Sequence, residues 1–186
     1  MATLSPRQRI MDAALELASQ GGYDALQVRA ITQLAGVSSR TIYTHFPSLD
    51  SLLIVAVAER AGEELYQHLT EGRSKKRTAA GRVQQVIEEL NRIMTDNRTL
   101  TVALLRALLS GKPDVAQHVR GFAEITQAVL ASAMRPDGTR AGNRETAELL
   151  EMVYFSALIG WATGADDGER TMAIMRRATQ RVLPTR

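Results

Sequence analysis

Cysteine is absent from this sequence, and aromatic side chains are few. The 186 residues include no Cys, one Trp, three Phe and four Tyr. Without cysteine the chain can form no disulfide, no thiolate metal site and no cysteine nucleophile, and it is compatible with a reducing compartment. The three histidines, at 45, 68 and 118, lack the spacing of metal ligands. We therefore predict no catalytic residues, no metal site and no cofactor.

Long hydrophobic runs are also missing. The N-terminal segment MATLSPRQRI has no apolar stretch behind a charged one, so a signal peptide is not expected. The most apolar stretch, LLEMVYFSALIGWATG (149–164), contains Glu151 and is shorter than the ~20 residues that a membrane-spanning helix needs. We expect a cytoplasmic protein with no membrane partner.

No charge sign dominates strongly. The chain has 23 Lys and Arg residues and 20 Asp and Glu residues, for a net charge of +3. The first fifty residues hold four arginines and four carboxylates, and the excess of positive charge is mainly in RSKKR (73–77) and Arg82. Composition alone therefore does not indicate a nucleic-acid partner.

The composition is rich in residues that favour helices. Ala, Leu, Glu, Arg and Gln are frequent, there are only five prolines, and alternating β-branched runs are hard to find. This pattern predicts an all-α fold of about nine helices. The first helix is expected to begin with a capping box, in which Ser5 is the N-cap, Pro6 is the first helical residue and Gln8 is the third, and to end at Gly21-Gly22.

Two short helices are predicted next, separated by Gly36. The first covers about 27–35, and the second is capped by Ser38 and ends near His45. The side chains expected to pack inward are Val28, Ile31, Leu34, Ala35, Val37, Ile42 and Phe46. Two short helices joined by a turn that contains glycine, inside a three-helix unit, are typical of a helix-turn-helix.

Cap residues also predict the later helices. Ser48 should cap a fourth helix with Asp50 in its first turn, and this helix should end near residue 70. Pro113 should open a helix with Phe122, Ile125, Val129 and Leu130 on its inner face. Asn143 should cap a helix over about 144–163 that is apolar nearly all round and so covered on two sides, and Asp166 should cap the last helix.

The stretch GGYDALQVRAITQLAGVSSRTIYTHFPSLDSLL resembles the DNA-binding domain of the TetR family of bacterial regulators. The resemblance rests on the Gly-Val-Ser turn, on Thr41-Ile42-Tyr43-x-His45-Phe46 and on the helix capped by Ser48, and it covers about residues 6–55. It implies a DNA-binding helix-turn-helix domain over 1–50 and a helical domain for ligand binding and dimerisation over 51–186.

The resemblance also implies roles for individual residues. It places Arg29, Ser39 and Arg40 where family members contact base edges. It places Thr41, Tyr43 and His45 where they contact phosphates, and Ser38 and Thr44 complete the predicted DNA-binding set. In two positions the chain departs from the family: Leu49 stands where a Lys or Arg usually reaches a phosphate, and Gln27 stands where Thr usually caps the second helix.

A second resemblance is to the actinobacterial repressors of sterol catabolism within this family. It rests on Gln27-Val28-Arg29-Ala30, on LNRIM (90–94) and on Ile159-Gly160-Trp161. It implies a large apolar effector, such as a sterol-derived or acyl-CoA thioester. The candidate ligand-binding residues are Leu90, Asn91, Met94, Leu104, Leu108, Phe122, Ile125, Tyr154, Leu158 and Trp161.

The predicted protein is a homodimeric repressor, associated with the nucleoid, that a ligand releases from a palindromic double-stranded DNA operator. The last two helices offer more apolar surface than one bundle needs, which favours pairing of two chains. Two alternatives remain open at this point. The chain could be a helical protein-interaction module that no longer reads DNA, or an enzyme that uses an apolar cavity as its active site.

Overall fold

The computed structural model describes residues 4–71, 76–134 and 141–183. Over these residues the fold is all-α, as predicted, with nine α-helices, one 3-10 helix at Tyr23–Ala25 and no strand. Most of the predicted linker 73–77 and of the predicted loop 135–143 lies outside the described residues. The α-helices are α1 (Pro6–Gly21), α2 (Val28–Ala35), α3 (Ser39–His45), α4 (Leu49–Glu71), α5 (Ala79–Asp96), α6 (Arg98–Leu108), α7 (Ala116–Ala133), α8 (Ala141–Thr163) and α9 (Gly168–Val182).

The predicted boundaries of the first helices are confirmed. The Ser5 hydroxyl accepts a hydrogen bond from the Gln8 amide at 3.1 Å, and Gly22 ends α1. The Gln8 side chain donates to Asp12 at 2.9 Å, one turn further along α1. The N-cap at Ser5 therefore exists, whereas the side chain expected to complete a capping box is engaged elsewhere.

Three predicted starts of later helices are wrong by a few residues. Pro113 lies in a separate turn, closed by a 3.0 Å bond from the Val115 amide to the Lys112 carbonyl, and α7 begins only after that turn. Asn143 lies inside α8, which begins two residues earlier. The N-cap of α9 is Asp167, which accepts from the Arg170 amide at 2.7 Å.

Asp166 does not cap α9 because it belongs to the turn that precedes this helix. Its amide donates to the Gly160 carbonyl at 3.1 Å, and its carboxylate pairs with the Arg170 side chain. A β-carbon at Gly160 would lie 2.6 Å from an oxygen of Asp166, so the turn folds closely onto α8 at a glycine. This close approach depends on tertiary structure and is not evident from the capping pattern.

The chain divides into two compact units, which differ from the domain boundary that the sequence predicts at residue 50. The first, called the head unit here, contains Met1–Arg60 and Asn97–Arg120. The second, called the body unit, contains Ala61–Asp96 and Gly121–Arg186. The helix α6 thus belongs to the same compact unit as the predicted DNA-binding helices.

The head unit is held together by α1, which packs against α2, α3 and α6. Its core consists of apolar side chains from all of these helices and from the start of α4: Ile10, Ala14, Ile31, Ile42, Phe46, Leu52, Leu53 and Leu104. In the body unit, α9 packs against both α5 and α8. The side chains buried there include Val83, Ile87, Leu150, Tyr154 and Met175.

Several side chains that were expected to pack inward are exposed. Leu34 is 48% exposed, and the buried residues of α2 are Ile31 and Ala35. Ile125 is 51% exposed; Leu130, from the same predicted face of α7, is buried as expected, and Thr126 is buried although it was not predicted to be. The helix α8 is not covered on both sides within one chain, since Leu149 and Met152 are exposed.

Within the described residues, no single helix is long and apolar enough to cross a membrane. The bent pair formed by Ser39–His45 and Leu49–Gln67, at 64° to each other, meets the requirement by length and composition alone.

Candidate nucleic-acid interface

The turn between α2 and α3 is built on a left-handed glycine. Gly36 has φ 63° and ψ 43°, a conformation that L side chains rarely adopt. Its amide donates to the Thr32 carbonyl at 3.1 Å, and the amide of Val37 donates to the same carbonyl at 3.3 Å. These bonds close the end of α2 and set the direction in which the chain enters α3.

A serine cap fixes the start of α3. The Ser38 hydroxyl accepts from the Thr41 amide at 3.1 Å and lies 2.9 Å from the Thr41 hydroxyl. The opposite face of this seven-residue helix is anchored by Ile42, and Phe46 is buried directly after the helix. The helix is thereby held with one face in the core and the other toward solvent.

Seven of the eight predicted DNA-binding residues are exposed, and the eighth, Thr41, is half-buried. Tyr43 is 53% exposed although it is aromatic and adjoins the buried Ile42. Arg40 is exposed on α3, and Arg29 is exposed on α2. The exposed arginines, hydroxyls and phenol of these two short helices are groups that can donate hydrogen bonds to phosphates and base edges.

The hydroxyls of this face differ in how free they are to donate. The Thr44 hydroxyl already donates to the Arg40 carbonyl at 2.9 Å. The Thr41 hydroxyl shares its hydrogen bond with Ser38. Because a phosphate oxygen can only accept, the Thr44 hydroxyl must give up its internal bond to donate to one, whereas either hydroxyl of the Ser38–Thr41 pair can be the donor in their shared bond. Of the predicted DNA-binding residues, Thr44 therefore has its hydroxyl hydrogen already engaged within the helix.

The start of α4 contains a polar cluster. The Ser48 hydroxyl accepts from the Ser51 amide at 3.1 Å, which confirms the predicted N-cap. Asp50 is fully buried and accepts from the Tyr23 hydroxyl and from the Lys112 ammonium group. Its predicted place in the first turn of α4 is confirmed, but the sequence did not indicate the two partners that surround it.

A second carboxylate reaches the same turn of α4. Asp114 accepts from the Ser48 hydroxyl at 2.5 Å and from the Ser51 hydroxyl at 2.8 Å. We define the first-turn cluster as Tyr23, Ser48, Asp50, Ser51, Lys112 and Asp114. It brings together three segments of the head unit that are far apart in sequence.

The environment of the cluster shifts three pKa values. The hydrogen bonds from Ser48 and Ser51 lower the pKa of Asp114, because they stabilise its charged form. The hydrogen bond to Asp50 raises the pKa of Lys112. Burial raises the pKa of Tyr23, and the bond to Asp50 raises it further. At neutral pH Asp114 is thus a carboxylate, Lys112 an ammonium group and Tyr23 a neutral phenol.

Other ion pairs join α1 and α6 to the same unit. Arg7 pairs with Glu59, with 2.9 Å between Nη1 and Oε2, and its guanidinium lies 5.6 Å from the centre of the Phe46 ring. Arg106 pairs with Asp24 at 2.7 Å and lies 4.3 Å over the Tyr23 ring. These pairs are exposed, so each contributes little to stability, but they fix which segments are neighbours.

The net charge of the protein is distributed unequally between the two compact units. The head unit holds nine Lys and Arg residues against six Asp and Glu residues, a net charge of +3, and the body unit is neutral. The neutrality of the first fifty residues arises from acids such as Asp24 and Asp50, which pair with Arg106 and Lys112 from the second segment of the unit. The positive charge of the protein therefore resides in the unit that carries α3.

The ten predicted ligand-binding residues are divided between the units. Leu104 and Leu108 are buried in the head unit. The other eight belong to the body unit, where Leu90, Met94, Tyr154 and Leu158 are buried and Asn91, Phe122 and Trp161 are half-buried. The remaining residue, Ile125, is exposed in the single chain.

Three buried polar atoms of the body unit have no hydrogen-bond partner among the described residues. They are the Asn91 side-chain carbonyl, the Tyr154 hydroxyl and the Thr179 hydroxyl. Burial raises the pKa of Tyr154 far above its usual value, so its hydroxyl stays neutral and able to donate. Each unpaired buried group costs stability, and such groups can bond to an incoming ligand.

The exposed face of α3, formed by Ser39, Arg40, Tyr43, Thr44 and His45, is called the reading face here. Sequence reasoning missed the residues that support it. The first-turn cluster joins positions up to 91 residues apart, from Tyr23 to Asp114, and no local pattern connects them. A second missed residue, Asn97, did carry a signal. Its side chain caps α6 by accepting from the Leu100 amide at 2.9 Å, which is a spacing that the sequence displays.

The structure supplies no arrangement suited to a resident metal in its described parts. No group of three or more His, Asp or Glu side chains is placed there to hold an ion.

Comparison with known proteins decides the family. The family described as "Bacterial regulatory proteins, tetR family" matches residues 10–56, and "Tetracyclin repressor-like, C-terminal domain" matches residues 77–182. The chain belongs to the tetR family. The first match covers both helices of the helix-turn-helix, and the second covers more than half of the chain.

Sequence similarity to a transcriptional repressor supports the same assignment. The chain is 32% identical over 158 residues to the HTH-type transcriptional repressor KstR of Rhodococcus jostii (strain RHA1), which covers 84% of this chain and 73% of that protein. The tetR-family chain described here is accordingly a DNA-binding transcriptional regulator. Proteins of this family are regulators that bind DNA operators and small-molecule effectors, typically as dimers.

Solved structures share the fold. A TetR transcriptional regulator from Rhodococcus sp. RHA1 superposes with a TM-score of 0.84 at 17% identity, covering 97% of each chain. The FadR repressor of Thermus thermophilus, solved in complex with lauroyl-CoA, gives a TM-score of 0.72 at 20% identity, covering 97% of this chain and 96% of the other. At these identities the likeness concerns the fold alone.

Proposed function

We propose that this protein is a homodimeric repressor that reads a palindromic operator through α3 and is released by a large apolar acyl thioester. The observation that carries the DNA part is the exposed polar face of α3, opposite the buried Ile42 and Phe46. In this proposal Arg40 and Ser39, together with Arg29 from α2, contact base edges in the major groove. Tyr43 and His45 contact the phosphates.

The net charge of the head unit supports this role. A charge of +3 concentrated in the unit that presents α3 attracts the DNA backbone, while the neutral body unit does not. Two copies of α3 are required, because one helix of seven residues makes too few base contacts for useful specificity. In a dimer the two copies would enter major grooves about one helical turn of DNA apart.

The test of DNA reading uses a duplex that the unchanged protein selects from a random-sequence library. Arg40→Ala should weaken binding to this duplex by roughly tenfold to 100-fold, as expected for about 1–3 kcal/mol from a bidentate contact to a base. The matched control is Arg120→Ala, which removes an exposed arginine of the head unit outside the reading face.

Fluorescence anisotropy measures both affinities. Equal affinities for the two variants would remove Arg40 from the base-reading set. Failure of the unchanged protein to select any palindrome at low salt would overturn operator binding and favour the protein-interaction module instead.

The ligand part of the proposal rests on the body unit and on the relatives. Leu90, Met94 and Leu158 are buried and apolar there, which suits a large hydrophobic ligand better than a polar one. The unpaired Tyr154 hydroxyl can donate to a carbonyl of such a ligand, for example a thioester or ring carbonyl, and the unpaired Asn91 carbonyl can accept from a ligand hydroxyl or amide N–H. A structural relative was solved with lauroyl-CoA, a molecule of this class.

Isothermal titration calorimetry tests the ligand. Lauroyl-CoA or a sterol-derived CoA thioester should bind, whereas coenzyme A without an acyl chain should bind far more weakly. Tyr154→Phe should reduce the affinity for the thioester by roughly tenfold, because it removes one hydrogen-bond donor and leaves the ring in place. Absence of thioester binding together with tight binding of a hydrophilic compound would overturn this ligand class.

Release from DNA requires that the ligand bind the arrangement that cannot read the operator more tightly than the one that can. In the proposal this signal reaches α3 through α4, which follows α3 directly and spans the division between the two units. A coupling of about 1–3 kcal/mol would change operator affinity by several-fold to about 100-fold. Operator binding measured with and without the thioester gives this ratio directly.

A further inference from the structure

The segment between α6 and α7 is attached to the first turn of α4 at two points. Lys112 contacts Asp50, with 2.5 Å between Nζ and Oδ2. Asp114 contacts Ser48 and Ser51 through one carboxylate oxygen, at 2.5 and 2.8 Å. Both residues come from a turn of their own between the two helices, so this turn has a tertiary role besides connecting them.

Removing the contact with Lys112 should destabilise the first turn of α4, because Asp50 is fully buried. A buried carboxylate is stable only when it is paired and hydrogen-bonded, and here the partners are the Tyr23 hydroxyl and the Lys112 ammonium group. The Lys112 side chain itself is 52% exposed, so its place at Asp50 is not enforced by its own burial. Loss of Lys112 would leave the charge of Asp50 without its cation.

The first turn of α4 lies close to the reading helix in sequence. Only Phe46, Pro47 and Ser48 separate the end of α3 from α4, and Phe46 is buried in the core of the head unit. A displacement of the first turn of α4 would therefore have only three residues in which to be absorbed before it reached α3.

From this geometry we propose that Lys112 and Asp114 are positioning residues for operator recognition, which hold the first turn of α4 and thereby set the orientation of α3. The inference rests on the proposed function, since it assumes that α3 reads an operator. Neither residue lies on the reading face, so their effect on recognition would be exerted through the first-turn cluster and not through contact with DNA.

The test exploits the opposite charges of the two residues. Lys112→Met removes a positive charge and Asp114→Ala removes a negative charge. A purely electrostatic effect on DNA would weaken binding in the first variant and strengthen it in the second. If both residues position α3, each variant should instead lower the affinity for the selected palindromic duplex, by on the order of tenfold, the effect expected on losing a hydrogen bond to a charged group.

The controls repeat the same changes of charge on the body unit. Arg144→Met and Glu124→Ala alter exposed residues of α8 and α7, and they should leave operator affinity within about twofold. Lys112→Arg keeps a cation that can reach Asp50 and should restore most of the affinity. Affinity for a nonspecific duplex should change far less than affinity for the palindrome, because a misdirected α3 loses base contacts before it loses backbone attraction.

Hydrogen exchange supplies the second readout. Amides of residues 43–54 should exchange faster in both variants, while amides of α8 should be unchanged. If Lys112→Met fails to fold, the double variant Asp50→Asn with Lys112→Met removes both charges and should show the same loss of operator specificity.

Three results would overturn the inference: shifts of operator affinity in opposite directions, affinities that match the controls, or unchanged exchange over residues 43–54. These results are distinguishable from failure of the proposed function, in which the unchanged protein itself selects no palindrome.

Discussion

At the residue scale, the start of α4 combines an apolar residue with a buried carboxylate. Leu49, at the position where the sequence resemblance led us to expect a cation, is half-buried, and the adjacent Asp50 is buried against Lys112. Asp114 adds a second carboxylate to the same turn. The positive end of the α4 dipole is thus already engaged by side chains of the protein, and we expect this turn to attract a DNA phosphate less than a turn that carries a lysine.

Replacing Leu49 by arginine tests this expectation. Leu49→Arg should raise the affinity for specific and nonspecific duplexes alike, and it should steepen the slope of log affinity against log salt by about one. The slope is obtained from anisotropy titrations between low and physiological salt. The matched control, Leu109→Arg, adds the same charge at an exposed leucine of the head unit; an equal effect from both variants would mean that position 49 has no particular access to phosphate.

Asp114 should make the head unit sensitive to acid. Its pKa is lowered by Ser48 and Ser51, so its stabilising contribution is complete above the unfolded pKa of about 3.9 and is lost as the pH falls through the lower folded value. Asp114→Ala should therefore lower the thermal midpoint at pH 7 and lower it progressively less as the pH falls below about 4. Calorimetry of both proteins across this range measures the difference, and a difference that does not vary with pH would contradict the assignment.

At the element scale, short helices of the head unit depend on their caps. The helix α3 has only seven residues, too few to be stable in isolation, so its first turn needs the hydrogen bond from the Thr41 amide to Ser38. The left-handed Gly36 just before it lets the chain turn without strain. Local chemistry and burial of Ile42 together hold the reading helix.

Removal of the α3 cap should cost measurable stability. Ser38→Ala should lower the free energy of unfolding by about 1 kcal/mol, within the usual range for N-caps. Ser39→Ala changes the neighbouring serine, which is the first residue inside the helix and is not the N-cap, and should cost less. Urea unfolding of the two variants gives the comparison, and equal losses would show that the cap at Ser38 does not limit stability.

At the scale of the whole molecule, the exposed apolar face of α8 indicates that a second protein surface covers it. Leu149 is 55% and Met152 is 60% exposed on a helix whose other face is buried in the body unit. These two residues lie three positions apart and so share a face. We expect this face to pair with the same face of a second copy, which would bring two reading helices into one molecule.

Charged substitutions on this face should separate the dimer. Leu149→Asp and Met152→Asp would each bury a carboxylate against apolar side chains and should raise the dissociation constant of the dimer on the order of 100-fold. Analytical ultracentrifugation should then detect single chains at concentrations where the unchanged protein sediments as two. Leu109→Asp places the same charge on an exposed leucine of the head unit and should leave the dimer intact; dissociation in that variant too would indicate general destabilisation.

Much of the fold and of the reading face could be predicted because the determining signals are local. Ser5, Ser38 and Ser48 each begin a helix by accepting a hydrogen bond from the amide three residues later. Gly36 indicates a turn because glycine adopts the left-handed backbone conformation without strain. The exposure of Arg40 and Tyr43 follows from the spacing of Ile42 and Phe46. Such features depend on a few consecutive residues, so the sequence displays them directly.

The wrong predictions have a common cause, which is that they depend on tertiary packing and not on local sequence. Leu34 and Ile125 fit an apolar helical stripe, yet their exposure depends on which neighbouring helix is present to cover them. Asp166 fits an N-cap, yet the approach of its turn to Gly160 moved the cap to Asp167. A periodic pattern predicts which side chains lie on one face of a helix, but it does not predict how many of them a neighbouring helix covers.

The sequence by itself determined the succession of helices, the caps at Ser5, Ser38 and Ser48 and the residues offered by the reading face, because each of these depends on contacts within about one helical turn. Only the tertiary structure decided that α6 and the residues after it belong to the head unit, and that Lys112 and Asp114 hold the first turn of α4. It also decided that the net positive charge lies in the head unit. These features depend on segments that the chain brings together across more than sixty residues, where burial of a charge such as Asp50 requires a partner that local sequence does not specify.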